Sequence, residues 1–140
     1  VSTAPHQQDK MSISLYMVKA FFILDMEGKR LLAKYYTDDF ADLKDQLAFE
    51  NIVFTRTARL NAEIILLDGH ITVYRNCTDC FLFVVGDENE NELILSTVLG
   101  AFYEAMSIIL KFESGQVDRR SLLENFDYVL LTVDELIDRG

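Results

Sequence analysis

Cys80-Phe81-Leu82-Phe83-Val84-Val85 is followed by Gly86-Asp87-Glu88-Asn89-Glu90 and then by an apolar run from Asn91 to Phe112. The first six residues show no polar alternation. A strand of that kind is covered on both faces, because a strand with one wet side alternates apolar and polar residues with a period of two. It therefore belongs in the middle of a sheet. The acidic turn that follows suits the start of a helix, where negative charge is favourable. Stepping that helix at about 100° per residue spreads apolar side chains, Tyr103 and Ile108 among them, over more than half of its circumference. One neighbour cannot cover so wide a face. The helix is expected to lie between the sheet and a second layer, either another helix of the chain or a partner protein. A membrane span from Leu93 to Leu110 is the competing reading. Glu104 stands inside that run and Ser96, Thr97 and Ser107 dilute it. A charge near the bilayer centre costs about 2.5 to 3.5 kcal/mol, so the buried helix is preferred.

The rest of the chain supplies the sheet and its cover. Ser14 to Asp25 is an apolar run closed by Asp25-Met26-Glu27-Gly28, with Gly28 at an expected positive-φ position, and Lys29 to Tyr36 returns as a second strand. Asp38 or Asp39 can cap a helix running to about Arg56, with Phe40, Leu43, Leu47 and Phe54 as its core face. On that phase Phe49 and Val53 fall opposite, on the wet side, with Ile52 on one flank. They are either tucked under a loop or form a docking face for another protein. Glu63 to Leu67 and His70 to Arg75 read as a hairpin about Asp68-Gly69. The last helix spans about Ser121 to Asp138, with Leu122, Phe126, Val129, Val133 and Leu136 at helical spacing. Ser121 with Glu124, or Asp118 one turn earlier, can cap it. The order ββαβββαα defines an α+β fold with a mostly antiparallel five-stranded sheet.

With 140 residues, half of them hydrophobic and ten of them Phe, the chain can bury one core without disulfides or metal. Residues 1–11 read as a flexible N-terminal tail and 12–140 as a single domain. The net charge of -10 argues against a sequence-independent grip on nucleic acid or anionic lipid, both of which need clustered Lys and Arg. Two cysteines, a polar start and no uninterrupted apolar span point to a reducing cytosolic setting. Cys77-Thr78-Asp79-Cys80 has the spacing of a redox or half-zinc motif. It straddles a turn between strands rather than a helix N-terminus, and only His6 and His70 remain as further ligands. Asp87 to Glu92 alternates oxygen ligands as a calcium loop does, but Glu92 stands where that loop needs Gly and Val98 where it needs Glu. No phosphate loop, nucleophile elbow or paired carboxylates appear. The expectation is a protein without catalysis, cofactor or metal.

Ser14-Leu15-Tyr16, Val18-Lys19-Ala20, Ile23-Leu24-Asp25, Ala33-Lys34-Tyr35-Tyr36, Phe49-Glu50, Glu63-Ile64, Leu66-Leu67, Val73-Tyr74, Glu90-Asn91-Glu92-Leu93, Leu122-Leu123-Glu124-Asn125 and Val133-Asp134-Glu135 follow one another in a set order. In that order and spacing the chain resembles the zeta small chains of the COPI coatomer, relatives of the sigma chains of clathrin adaptors. The resemblance implies a longin-like fold, with one helix on one face of the sheet and two on the other. It further implies a non-catalytic subunit paired with the gamma coatomer large subunit, in a coat that an Arf-family GTPase recruits to Golgi membranes for Golgi-to-ER and intra-Golgi transport. The expected location is cytoplasmic, peripheral on Golgi membranes and COPI vesicles. Phe49, Ile52, Val53 and Tyr103 are the candidate partner contacts. A sigma-type chain is the alternative; its dileucine-signal pocket would fall on Thr78, Cys80 and Tyr103, where the bulk of Tyr103 fills the space. Glu63-Ile64-Ile65-Leu66-Leu67-Asp68-Gly69 also resembles zeta more than sigma. A longin-type module of a membrane-fusion protein would need a heptad helix and an anchor, and an enzyme would have to rest on Cys77 and Cys80.

Overall fold

The computed structural model describes residues 18–60, 63–114 and 119–138. Five strands, β1 (Val18–Asp25), β2 (Arg30–Tyr35), β3 (Ile64–Leu67), β4 (His70–Asn76) and β5 (Cys80–Asp87), form one sheet in the order β2-β1-β5-β4-β3. Every neighbouring pair is antiparallel. Helix α1 (Leu43–Ala58) joins β2 to β3, and α2 (Glu92–Ser114), α3 (Arg119–Glu124) and α4 (Phe126–Asp138) follow β5. The expected element order is the observed one, with the last helix divided at Asn125.

β5 is the central strand, and its composition follows from that place. Cys80, Leu82 and Val84 face one side, where Phe21 and Ile23 of β1 join them; Phe81, Phe83 and Val85 face the other with Ala20, Phe22 and Leu24. The first side packs on Leu95, Val98, Leu99, Phe102 and Met106 of α2, backed by Leu122, Val129 and Val133. The second packs on Phe49 and Val53 of α1 and on Phe40 just before it. Phe21 meets Phe102 edge-on with centroids 4.5 Å apart, and Phe22 stacks on Phe83 at 4.8 Å. Each fully buried large apolar side chain contributes roughly 1.5 to 3 kcal/mol. Two half-cores on one sheet therefore replace a single core, and a strand between them has no place for a polar side chain.

The turns follow their residue chemistry. Gly28 has φ of 87°, and the Asp25 carboxylate accepts the backbone N–H groups of Glu27 at 2.8 Å and Lys29 at 2.9 Å. A Cβ on Gly28 would lie 2.7 Å from Phe54 of α1, so a side chain there collides as well as straining the backbone. Asp68 and Gly69 both have positive φ, 53° and 78°, between the paired Leu67 and His70, as a two-residue hairpin turn requires. Helix α2 lies between the sheet and α4, as its apolar girth predicts. No helix among the described residues is long and apolar enough to cross a membrane.

Several details differ from the sequence reading. Helix α1 starts at Leu43 and is capped by Asp42, whose carboxylate accepts the Asp45 N–H at 2.9 Å, rather than by Asp38 or Asp39. Its buried face is Phe49, Glu50, Val53 and Thr57, whereas Leu43 and Leu47 are exposed. Phe40 lies in the irregular segment before the helix, so counting it as the first helical residue set the phase wrongly. The polar Glu50 and Thr57 in the buried stripe hid the true one. Helix α3 begins at Arg119, which places Ser121 inside it rather than at its cap. The turn at Asn125 arises where its side-chain amide and its backbone N–H both donate to the Ser121 carbonyl, each at 3.0 Å, so that side chain and backbone compete for one acceptor. Leu122, Val129 and Val133 are buried as expected and Phe126 is exposed. The expectations for residues 1–17 and for Asp118 lie outside the described residues.

Candidate functional site

At one end of the sheet the start of β1, the segment before α1, the β3–β4 turn and the end of β5 come together round a cleft of about 670 Å³. Phe40, Ala48, Phe49 and Ile52 supply its apolar lining, and Lys19, His70, Asp39, Asp45, Asp68, Asp87 and Glu88 its polar one. The Glu88 N–H donates to the Gly69 carbonyl at 3.0 Å and ties two of the walls together. The Lys19 ammonium donates to Asp39 at 2.9 Å and lies 3.6 Å from Asp87. Asp39 also meets His70 Nε2 at 3.1 Å. The Lys19 hydrogen bond, followed by that of His70, holds the Asp39 carboxyl at about 2. The Asn89 N–H, with Lys19 behind it, lowers Asp87. His70 is packed against the rings of Phe40 and Phe49, with only 8% of its side chain exposed, and its Nδ1 has no hydrogen-bond partner. Asp39 is therefore engaged in the cleft, three residues before the Asp42 cap of α1.

The four residues singled out from the sequence do not form one surface. Phe49 and Val53 are buried in the half-core between α1 and the sheet, not on a wet side. That placement removes Val53 from any docking face of the folded chain and leaves Phe49 only the small part of its ring that lines the cleft. Ile52 is exposed and lines the cleft. Tyr103 lies on the opposite side of the sheet, half-buried against the α2 half-core, with the Arg75 guanidinium 3.7 Å from its ring centroid. Of the positions compared with a dileucine pocket, Cys80 is fully buried in that half-core, Thr78 is exposed at the turn, and Tyr103 lies under the Arg75 guanidinium. His70 heads β4, and the sequence reading weighed it only as a possible metal ligand. Its meeting with Lys19, Asp39 and Glu88 is a product of the topology and is not written in any local spacing.

Cys77 and Cys80 are both free thiols, and the Cys77 N–H donates to the Cys80 carbonyl at 2.8 Å across the turn. The hydrogen bond from Cys80, aided by Arg75, lowers the Cys77 thiol against the opposing effect of burial. Among the described residues no group of three or more His, Cys, Asp or Glu is placed to hold a metal ion.

Outside the cleft, apolar side chains lie bare on several elements. Leu93 and Ile108 of α2, Leu123 of α3, and Tyr128 and Leu131 of α4 are exposed, with Ile108 at 74% and Leu131 at 64%. Edge strand β3 adds Ile64 and Leu66, the latter 62% exposed. Scattered surface leucines are ordinary, but this number on one helical layer and its neighbouring sheet edge marks surface that a partner can cover.

Five antiparallel strands with one helix on one face and a helical layer on the other define a longin-like small chain of the adaptor type. The chain belongs to the clathrin adaptor complex small chain family, whose model matches residues 17–140, and coatomer zeta subunits are among its relatives. Coatomer subunit zeta-2 of Mus musculus is 48% identical over 127 residues, which cover 91% of this chain and 60% of that protein. Coatomer subunit zeta-1 of Oryza sativa subsp. japonica is 50% identical over 127 residues, covering 88% and 70%. The chain thus spans about 60% of the length of the mouse and human zeta-2 proteins. A chain in a homology model of the full-length AP-3 complex in a stretched open conformation superposes with a TM-score of 0.60 at 18% identity, over 89% of this chain and 83% of that one. At that identity the likeness concerns the fold.

Proposed function

We propose that the chain is a non-catalytic small subunit of the COPI vesicle coat that pairs with the gamma coatomer large subunit. In this role it acts at Golgi membranes, in Golgi-to-ER and intra-Golgi transport, through a coat recruited by an Arf-family GTPase. The observation that carries the reading is the bare apolar surface of the helical layer, in a chain whose relatives include coatomer zeta subunits. A large partner wrapped round this layer would cover Ile108 and Leu131, which the chain itself leaves in water. On the other side of the sheet, α1 offers Leu47 on one flank and Ile52 on the other. The Arg75 guanidinium over the Tyr103 ring supports leaving cargo binding out of the proposal, because the two together put bulk where the resemblance places the dileucine pocket of a sigma-type chain.

Co-expression with the trunk region of gamma coatomer, followed by size-exclusion chromatography with light scattering, tests this. The expected result is a one-to-one complex, weakened about tenfold or more by Ile108→Glu combined with Leu131→Glu while the circular dichroism of the variant stays native. A chain that ignores gamma coatomer and instead binds the large chain of a clathrin adaptor would replace this reading with the sigma-type one.

A further inference from the structure

We propose that the cleft between α1 and the β3–β4 turn receives a basic side chain, lysine or arginine, and an aliphatic neighbour from a segment of a partner protein. The charges there do not balance within the chain. Asp39, Asp45, Asp68, Asp87 and Glu88 face one ammonium, Lys19, which Asp39 and Asp87 already engage. None of the ion pairs among the described residues uses Asp45, Asp68 or Glu88, and these three come from three separate segments that only the fold brings together. An acidic surface is unremarkable on a chain of this net charge. A concave one with an apolar lining of Phe40, Ala48, Phe49 and Ile52 is more particular, because the methylene stem of a lysine or arginine packs on such a lining while its head reaches the carboxylates.

His70 is the second, independent observation. It is nine-tenths buried, lines the cleft and leaves Nδ1 without a partner. In the neutral ring that donates Nε2–H to Asp39, Nδ1 is a buried acceptor that no described residue satisfies, so a cation seated in the cleft brings favourable charge towards that lone pair. An anionic ligand would meet both the carboxylates and that lone pair unfavourably. The proposal goes beyond the large-subunit pairing and does not depend on which protein covers the helical layer.

The test titrates the full 140-residue chain with the blocked peptide acetyl-Lys-Leu-Lys-Leu-amide, and with acetyl-Glu-Leu-Glu-Leu-amide as control. Amide shifts are followed by NMR, and a fluorophore-labelled peptide is followed in parallel by anisotropy at dilute protein. The expected result is saturable binding of the basic peptide alone, with the largest shifts at Gly69, His70 and Glu88. Affinity should fall with added salt and by about tenfold in Asp68→Asn combined with Glu88→Gln, two exposed positions whose replacement leaves the fold intact. Any of four results overturns it: no saturable binding, equal binding of the acidic peptide, shifts spread evenly over the acidic surface, or an unchanged affinity in the double variant. If removal of residues 1–13 by itself moves the same amide signals, the occupant is the chain's own terminus and the partner assignment fails.

Discussion

Glu50 is 2% exposed between α1 and the sheet, where an unpaired carboxylate would cost several kcal/mol. It is tolerated because Arg30 donates to both of its oxygens and the Tyr35 hydroxyl donates at 2.8 Å, while the same guanidinium donates to Gln46 at 3.1 Å. This network joins β2 to α1, and it sets a limit on alkaline stability. Burial, then the Glu50 charge, push the Tyr35 hydroxyl well above its ordinary 10.0. As pH rises past 10, the unfolded chain releases the Tyr35 proton and the folded chain keeps it. The folded state then binds more protons than the unfolded one, so stability falls with pH in that window. Lys19, raised from 10.5 chiefly by its hydrogen bond to Asp39, acts in the same direction somewhat higher. Urea unfolding between pH 10 and 11.5 should show a declining midpoint, with Tyr35 contributing at most about 1.4 kcal/mol per pH unit. Tyr35→Phe should be less stable at pH 7 and lose stability less steeply above pH 10. Parallel slopes for the two proteins would show that the hydroxyl titrates freely.

Helix α1 makes its sharpest prediction through Val53, which is 0% exposed, and Leu47, which is exposed on the adjoining flank. Val53→Asp places a carboxylate in the buried half-core between α1 and the sheet and should cost about 3 to 5 kcal/mol, enough to unfold much of the population. Leu47→Asp should change stability by no more than about 0.5 kcal/mol. Chemical denaturation of the two single variants decides between the observed phase and its opposite, because the reversed ranking would put Leu47 in the core. The strands and hairpins were legible because their signals are local: Asp68-Gly69 forces the turn, and the unbroken apolar run from Phe81 to Val85 reports cover on both faces. The face of α1 was not legible, since Glu50 is buried only by virtue of Arg30 and Tyr35 on a different element. The cleft was hidden for the same reason. Lys19, Asp39, His70 and Glu88 are unexceptional singly, and only the return of β5 beside β1 and β4 makes them neighbours.

At the scale of the whole molecule the two edges of the sheet are guarded unequally. β2 carries Lys34, and Arg30 tied to Glu50 of α1, whereas β3, Ile64-Ile65-Leu66-Leu67, has no charge. Edge strands of that second kind offer unpaired N–H and C=O groups to another chain, and charged residues are the usual guard against it. Arg56 of α1 donates to the Leu66 carbonyl at 2.9 Å and covers one edge acceptor, but Ile64 and Leu66 remain in water. The free chain is therefore expected to self-associate through β3 as its concentration rises, and a partner that lies along this edge should suppress the association. Leu66→Lys should do so without a partner. The substituted position is already exposed, so stability should change by no more than about 0.5 kcal/mol, while light scattering over a concentration series should show a monomer where the parent chain grows. If the substitution leaves the growth unchanged and Ile108→Glu with Leu131→Glu abolishes it, the adhesive surface is the helical layer. If neither affects it, self-association does not run through the apolar surface of this fold.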